Sequence, residues 1–118
     1  MKNSTALVEA LLARGARLLL SETTSHGSRF GREDVTEYYL SWRQWHVKIY
    51  QSVEDGTTVL LAEKPGDIKK KEWRSLFYET EPRFAELTPE ERLAWTLAYP
   101  KDATKELAFL LAHLERLV

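Results

Sequence analysis

Between Tyr38 and Tyr50 apolar residues alternate with polar ones, and the alternation changes phase once. Tyr38, Leu40 and Trp42 occupy even positions, whereas Trp45, Val47 and Ile49 occupy odd ones. Successive side chains of a strand point to opposite faces, so one regular strand would turn half of these residues toward water. The phase must therefore be reset at Arg43-Gln44, by a bulge or by a tight connection between two strands. Val35, Tyr38, Tyr39 and Trp42 also fit helical spacing, but their β-branched and aromatic character favours a strand.

The flanking pattern supplies the other elements. Ser4 is placed to cap a helix whose apolar face is Leu7, Val8, Leu11 and Leu12, with Gly15 just past its end. Ala16 to Thr24 reads as a strand rather than a continuation of that helix, because of the glycine before it and the threonines within it. Residues 25–34 are loop by composition. Glu54-Asp55-Gly56 signals a hairpin turn, after which Thr57 to Glu63 returns as a strand through Val59 and Leu61.

The remainder is helical in pattern. Asp67 is expected to cap a helix burying Ile68, Trp73, Leu76 and Phe77, ended by Glu81-Pro82. Thr88-Pro89-Glu90-Glu91 is a capping-box start, with Leu93, Ala94 and Leu97 facing inward and Tyr99-Pro100 as the stop. Asp102 or Thr104 opens a last helix with the stripe Leu107, Leu110, Leu111, Leu114 and Leu117. The expected architecture is α+β: an N-terminal helix, an antiparallel meander of three to four strands, then three helices on one sheet face. The other face is left wet, or covered by a partner.

Composition adds limits. A chain of 118 residues is the length of one domain and is read as a single compact unit over 1–118. The absence of cysteine excludes disulfides, thiolate metal sites and cysteine nucleophiles. No apolar run is long enough to span a bilayer, and the N-terminus lacks the continuous apolar core of a secretion signal, so the expectation is a cytoplasmic protein without membrane contact. A net charge of −1 argues against a dedicated nucleic-acid coat protein.

Catalytic chemistry finds no foothold. His26, His46 and His113 are far apart in sequence and lack metal-ligand spacing. Ser21, Glu22 and His26 are close in sequence, but a triad is defined by geometry and not by proximity along the chain. There is no nucleophile elbow, phosphate loop or dinucleotide fingerprint, so neither an enzyme nor a cofactor is expected.

Binding is better served. If Leu40 and Trp42 face inward, then Tyr39, Arg43, His46, Lys48 and Tyr50 form an outward row of stacking groups and donors suited to a protein partner or to single-stranded nucleic acid. The loop carrying Arg29 and Arg32 is glycine- and serine-rich, and Lys69, Lys70 and Lys71 with Arg74 add a second basic group for phosphate contacts. The expectation is a small binding or regulatory protein of accessory-subunit or inhibitor type, acting through a protein partner. Self-association through the sheet face or the leucine-rich last helix is one version. The alternative is a nucleic-acid-binding accessory factor using those cations and the exposed tyrosines.

Overall fold

The computed structural model describes residues 2–53, 56–97 and 100–118. Helix α1 (Asn3–Ala13) leads into five antiparallel strands, β1 (Arg17–Ser28), β2 (Gly31–Trp42), β3 (Trp45–Gln51), β4 (Thr57–Glu63) and β5 (Arg74–Ser75). Their spatial order equals their order in sequence, a simple meander. Helix α2 (Phe77–Thr80), a 3₁₀ turn (Phe84–Glu86), α3 (Pro89–Leu97) and α4 (Ala103–Glu115) complete the chain. The α+β class and the order of helix, meander and helices stand as expected from the pattern. Among the described residues the strand count is five, because a two-residue strand, Arg74–Ser75, lies inside the segment expected to be helical.

The phase reset is a turn. Trp42 pairs with Trp45, and Arg43-Gln44 forms the two-residue connection, with Arg43 at φ 54°. The register Tyr38–Ile49, Leu40–Val47 and Trp42–Trp45 continues into Ile49–Val59 and Val47–Leu61. Both halves of the alternating stretch thus present apolar side chains to one face. There they meet Leu7, Val8 and Leu11 of α1 and Leu110, Leu114 and Leu117 from the last helix and its end, forming the core.

Local chemistry sets the helix ends. Gly15, at φ 100°, lets Ala16 N–H reach the Leu11 carbonyl and Gly15 N–H the Leu12 carbonyl, closing α1 as a Schellman motif. Thr88 and Glu91 exchange the reciprocal bonds of a capping box, at 3.0 and 3.2 Å, and Asp102 accepts from Lys105 N–H. A buried Glu106 joins the N-terminal ends of both long helices to the β3–β4 hairpin. It accepts from Asn3 Nδ2 at 2.9 Å and from Thr57 Oγ1 at 2.7 Å. Gly56 is at φ 83°, and a methyl group on it would collide with the Glu106 carboxylate, so this position needs glycine.

Five local expectations are corrected. Ser4 is not the cap of α1 but a buried residue within it, whose backbone N–H donates to Gln51 Oε1; Lys2 precedes the helix. Residues 25–34 are not loop: β1 and β2 run through them as a twisted ribbon with a two-residue turn at Arg29-Phe30. The segment after Asp67 is not a helix; it crosses the sheet and leads into β5, and only Phe77–Thr80 is helical. Leu93 is 60% exposed rather than inward, and Leu12 is 40% exposed. Glu54, Asp55 and Tyr99 lie outside the described residues, as does the side chain of Leu97.

The partition between Leu114 and Leu93 is open to measurement. Leu114→Ala, at a fully buried site, is expected to cost about 2–5 kcal/mol. Leu93→Ala is expected to stay within about 0.5 kcal/mol. Urea unfolding of both variants checks this, and equal losses would place Leu93 in the core.

Candidate contact surfaces

The second sheet face is where the expected outward row belongs. Its positions are Glu22, Thr24 and His26 on β1, Val35, Glu37, Tyr39 and Ser41 on β2, and His46, Lys48 and Tyr50 on β3, as the pair Tyr39–Lys48 and the pair Ser41–His46 require. This face is not open. Tyr39 is 5% exposed and Glu37 is also 5% exposed. Residues 64–73 fold back over the face, and Trp73 sets its ring edge-on to Tyr39 at a centroid distance of 5.7 Å. Lys69, expected on a helix, instead pairs with Glu22 at the far side of the sheet. The cover that the sequence left to water or a partner is therefore provided in part by the chain itself.

Beneath this segment lies a charged network spanning three strands. Lys48 Nζ is 2.7 Å from Glu37 Oε2, and Thr24 Oγ1 donates to Glu37 Oε1 at 2.7 Å. His26 Nε2 lies 3.0 Å from Thr24 Oγ1, and its ring packs on Tyr50 with centroids 5.0 Å apart. The Lys48 ammonium also sits over the rings of Tyr39 and Trp73, at 5.4 and 5.8 Å. Burial pushes the Glu37 carboxyl up, but the Lys48 and Thr24 hydrogen bonds outweigh it and hold the group below the usual carboxylate range. Burial alone would lower the Lys48 ammonium, and the Glu37 carboxylate raises it instead. Lys48 and Tyr39 are thus partners of buried groups within the fold rather than an exposed contact row, which corrects the outward assignment made for them.

Arg43 is exposed, yet it is committed to the last helix. One terminal guanidinium nitrogen, Nη1, donates at 2.6 Å to the carbonyls of both Glu115 and Leu117, and the group stacks over Trp42 at 4.5 Å. His46 is half-buried, its Nδ1 enclosed and without a hydrogen-bond partner. Burial, and then the Lys71 and Lys64 cations, push the imidazole down. Tyr50 remains half-buried beside His26.

The basic residues fall into two separate groups. Arg29 and Arg32 lie at the tip of the β1–β2 ribbon, where Arg29 covers the ring of Phe30 and Arg32 donates to Ser25 Oγ and to the Ser25 carbonyl. Lys69 meets β1 at Glu22, five residues from the Gly27–Arg32 pair, which is about 17 Å along a strand. The acids Glu33 and Asp34 flank the ribbon. Lys71 donates to the carbonyls of Glu63 and Pro65, and Arg74 pairs with Glu79. A recess of about 690 Å³ under residues 64–73 includes Lys64, Lys70, Lys71 and Arg74, but also Glu63, Asp67 and Glu72, so its lining is of mixed sign.

The three histidines do not converge. His46 is level with Ser41 and Arg17, nine residues along β1 from His26, about 30 Å. His113 lies on the helix side, 2% exposed, with Nδ1 2.8 Å from Thr80 Oγ1 and its ring against Phe77 and Phe109. Ser21, paired with Tyr38, is on the face opposite Glu22 and His26. Among the described residues no group of three His, Asp or Glu side chains is arranged to hold a metal ion. No described helix is long and apolar enough to cross a membrane.

One surface escaped the sequence pattern: the outer edge of β1. This strand is terminal in the sheet, and β2 is its one ladder neighbour among the described residues. Its twelve residues include neither lysine nor proline, and Arg17 and Glu22 are its only charges. Leu18 and Leu19 are exposed at one end, and Phe30, 81% exposed, stands at the other. The legible signal was the serine, threonine and glycine content of 21–28, which resembles a loop when no apolar alternation accompanies it. Compared with protein-family models, with curated proteins and with solved structures, the chain gives no match.

The Glu37–Lys48 pair generates a pH test. Lys48→Met leaves a buried carboxylate without its cation and is expected to cost about 3–5 kcal/mol near neutral pH. Joint replacement, E37L/K48M, is expected to cost much less. Because Glu37 titrates lower folded than unfolded, its contribution is complete above the ordinary carboxylate range, about pH 4, and is lost as pH falls through the folded value. The K48M deficit should therefore shrink between about pH 7 and about pH 3 in urea unfolding. A deficit that stays constant would show that the pair does not govern this site.

Proposed function

We propose that the protein is a small binding module of accessory-subunit or inhibitor type, and that it binds by adding a partner's strand to the free edge of β1. The observation that carries this reading is the edge itself. An unpaired strand edge offers a row of backbone N–H and C=O groups, and proteins ordinarily guard such edges by shortness, lysine, proline, bulges or a covering element. The opposite edge, β5, is guarded by being two residues long. β1 is twelve residues long, and its one bulge lies between Leu18 and Leu20, leaving Ser21 to Ser28 regular. Strand addition uses such an edge for affinity and the alternating side chains for specificity.

The nucleic-acid reading draws less support. Its cations lie in two groups about 17 Å apart, and Arg32, Lys69, Lys71 and Arg74 already serve acceptors within the fold. Of the tyrosines expected to stack on bases, Tyr39 is buried.

The test is capture from nuclease-treated host extract with wild type and with T23E/S25E, which adds charge on exposed positions of the edge strand. A stoichiometric protein, either a host protein or an untagged second copy of this chain, retained by wild type at moderate salt and lost by the variant is expected. Equal capture by both would overturn the edge reading. Recovered nucleic acid whose binding falls steeply with salt would replace it with the alternative.

A further inference from the structure

We infer that the strand which completes the β1 edge belongs to a second copy of this chain, paired antiparallel about a two-fold axis through Thr24. The inference rests on the reading that the β1 edge binds a strand. It goes further by fixing the occupant and the register.

Geometry narrows the choices first. Two copies joined edge to edge by a two-fold axis normal to the sheet run antiparallel and keep like faces on the same side. Such an axis passes through a residue facing its own copy, so the central registers are those centred on Thr23, Thr24 or Ser25. Centring on Thr24 sets Glu22 opposite His26 of the second copy, and does so twice. It sets Thr23 opposite Ser25, and Thr24 opposite itself. Glu22, Thr24 and His26 share one face of the sheet, so each of these pairs is a true cross-strand neighbour. Centring on Thr23 would instead put Glu22 against Thr24, and centring on Ser25 would put it against Ser28. Only the Thr24 register matches the strand's sole interior carboxylate with its sole imidazole.

The groups are equipped for the pairing. Thr24 gives its hydroxyl proton to Glu37, so His26 Nε2 donates to Thr24 Oγ1, and Nδ1 is the nitrogen left for a partner, donating to a carboxylate from the protonated ring. Glu22 uses Oε2 for Lys69 and Oε1 for a long contact of 3.5 Å with Tyr39. A carboxylate accepts more bonds than these two. Arg32 donates to the Ser25 carbonyl at 2.8 Å, and that carbonyl keeps a second lone pair for a strand neighbour.

Apolar surface agrees with the same register. Among the described residues six large hydrophobic side chains are exposed, and three of them are Leu18, Leu19 and Phe30. They lie at opposite ends of the β1 hairpin edge, and the antiparallel arrangement centred on Thr24 brings the Leu18–Leu19 end of each copy alongside the Phe30 tip of the other. Exposed apolar groups separated within one chain are thus joined in two symmetric contacts, as an isologous interface requires. The two five-stranded sheets become one continuous sheet.

The test uses the whole protein and measures mass by sedimentation equilibrium from micromolar to millimolar concentration. Wild type is expected to form a dimer. T23E/S25E, which sets like charges opposite each other across the axis, is expected to weaken it by at least about tenfold. T23K/S25E, which differs only in the sign at position 23 and sets opposite charges together, is expected to restore it. Both variants keep an acceptor for Arg32 at position 25, and matched thermal unfolding shows that each folds. A monomer at every concentration overturns self-pairing; the edge reading then survives only if wild type captures a host protein that T23E/S25E loses. A dimer of equal strength in all three proteins overturns it by placing the interface elsewhere. A dimer weakened by T23E/S25E and not restored by T23K/S25E overturns the register.

Discussion

The fold depends on how the β2–β3 turn holds the end of the last helix. Trp42 donates its indole N–H to the Leu114 carbonyl at 2.9 Å in the core, Arg43 donates to the Glu115 and Leu117 carbonyls, and Gln44 N–H reaches Val118. The last carbonyls of a helix have no partner within it and carry the negative end of its dipole. A guanidinium held by a two-residue turn answers both needs. The contact joins residues about seventy positions apart, and it fixes the height at which Leu110, Leu114 and Leu117 meet Leu40, Val47 and Leu61. Arg43 can serve there because it occupies the turn, with positive φ, rather than a strand face. Arg43, expected in the outward row, is thereby committed within the fold.

The legibility of the chain follows from where each residue meets an apolar neighbour. The phase change at Arg43-Gln44 was readable because both flanking segments bury every second residue, and a period of two admits few explanations. The capping box at Thr88 and the glycine after α1 were readable because their partners lie within a few residues. Residues 25–34 were not, because the ribbon leaves most side chains in water on both faces and so carries no hydrophobic period. Residues 67–77 misled for the opposite reason. Ile68, Trp73, Leu76 and Phe77 have helix-like spacing, but Trp73 covers one face of the sheet while Leu76 enters the core on the other. A segment that wraps an edge can mimic an amphipathic helix when its apolar residues serve two layers.

The same wrapping explains why the expected contact row is largely internal. A row containing Tyr39 and Lys48 resembles a recognition surface as long as its cover is unknown. Glu37, two residues before Tyr39, is the residue whose burial decides the matter, since a carboxylate at 5% exposure needs donors or a cation at hand. Lys48 meets that need and is itself roofed by Trp73. Nothing local to Glu37 in the sequence shows that a distant tryptophan excludes water from its strand neighbours.

What remains exposed is decided by topology. A meander of five strands has two edges, and the chain treats them differently. At the β5 edge the strand stops after two residues and turns into α2, too short to template a long neighbour. At the β1 edge the ribbon extends beyond the helical layer, and its free groups run past Glu22, Thr24 and His26 without lysine or proline to deter a neighbour. Burial on the inner strands could not have produced this edge, since residues 21–28 contribute little to the core. The core therefore demands neither this edge's length nor its near absence of charge. A strand-pairing role accounts for both, because backbone groups supply the bonds and small polar side chains allow close approach.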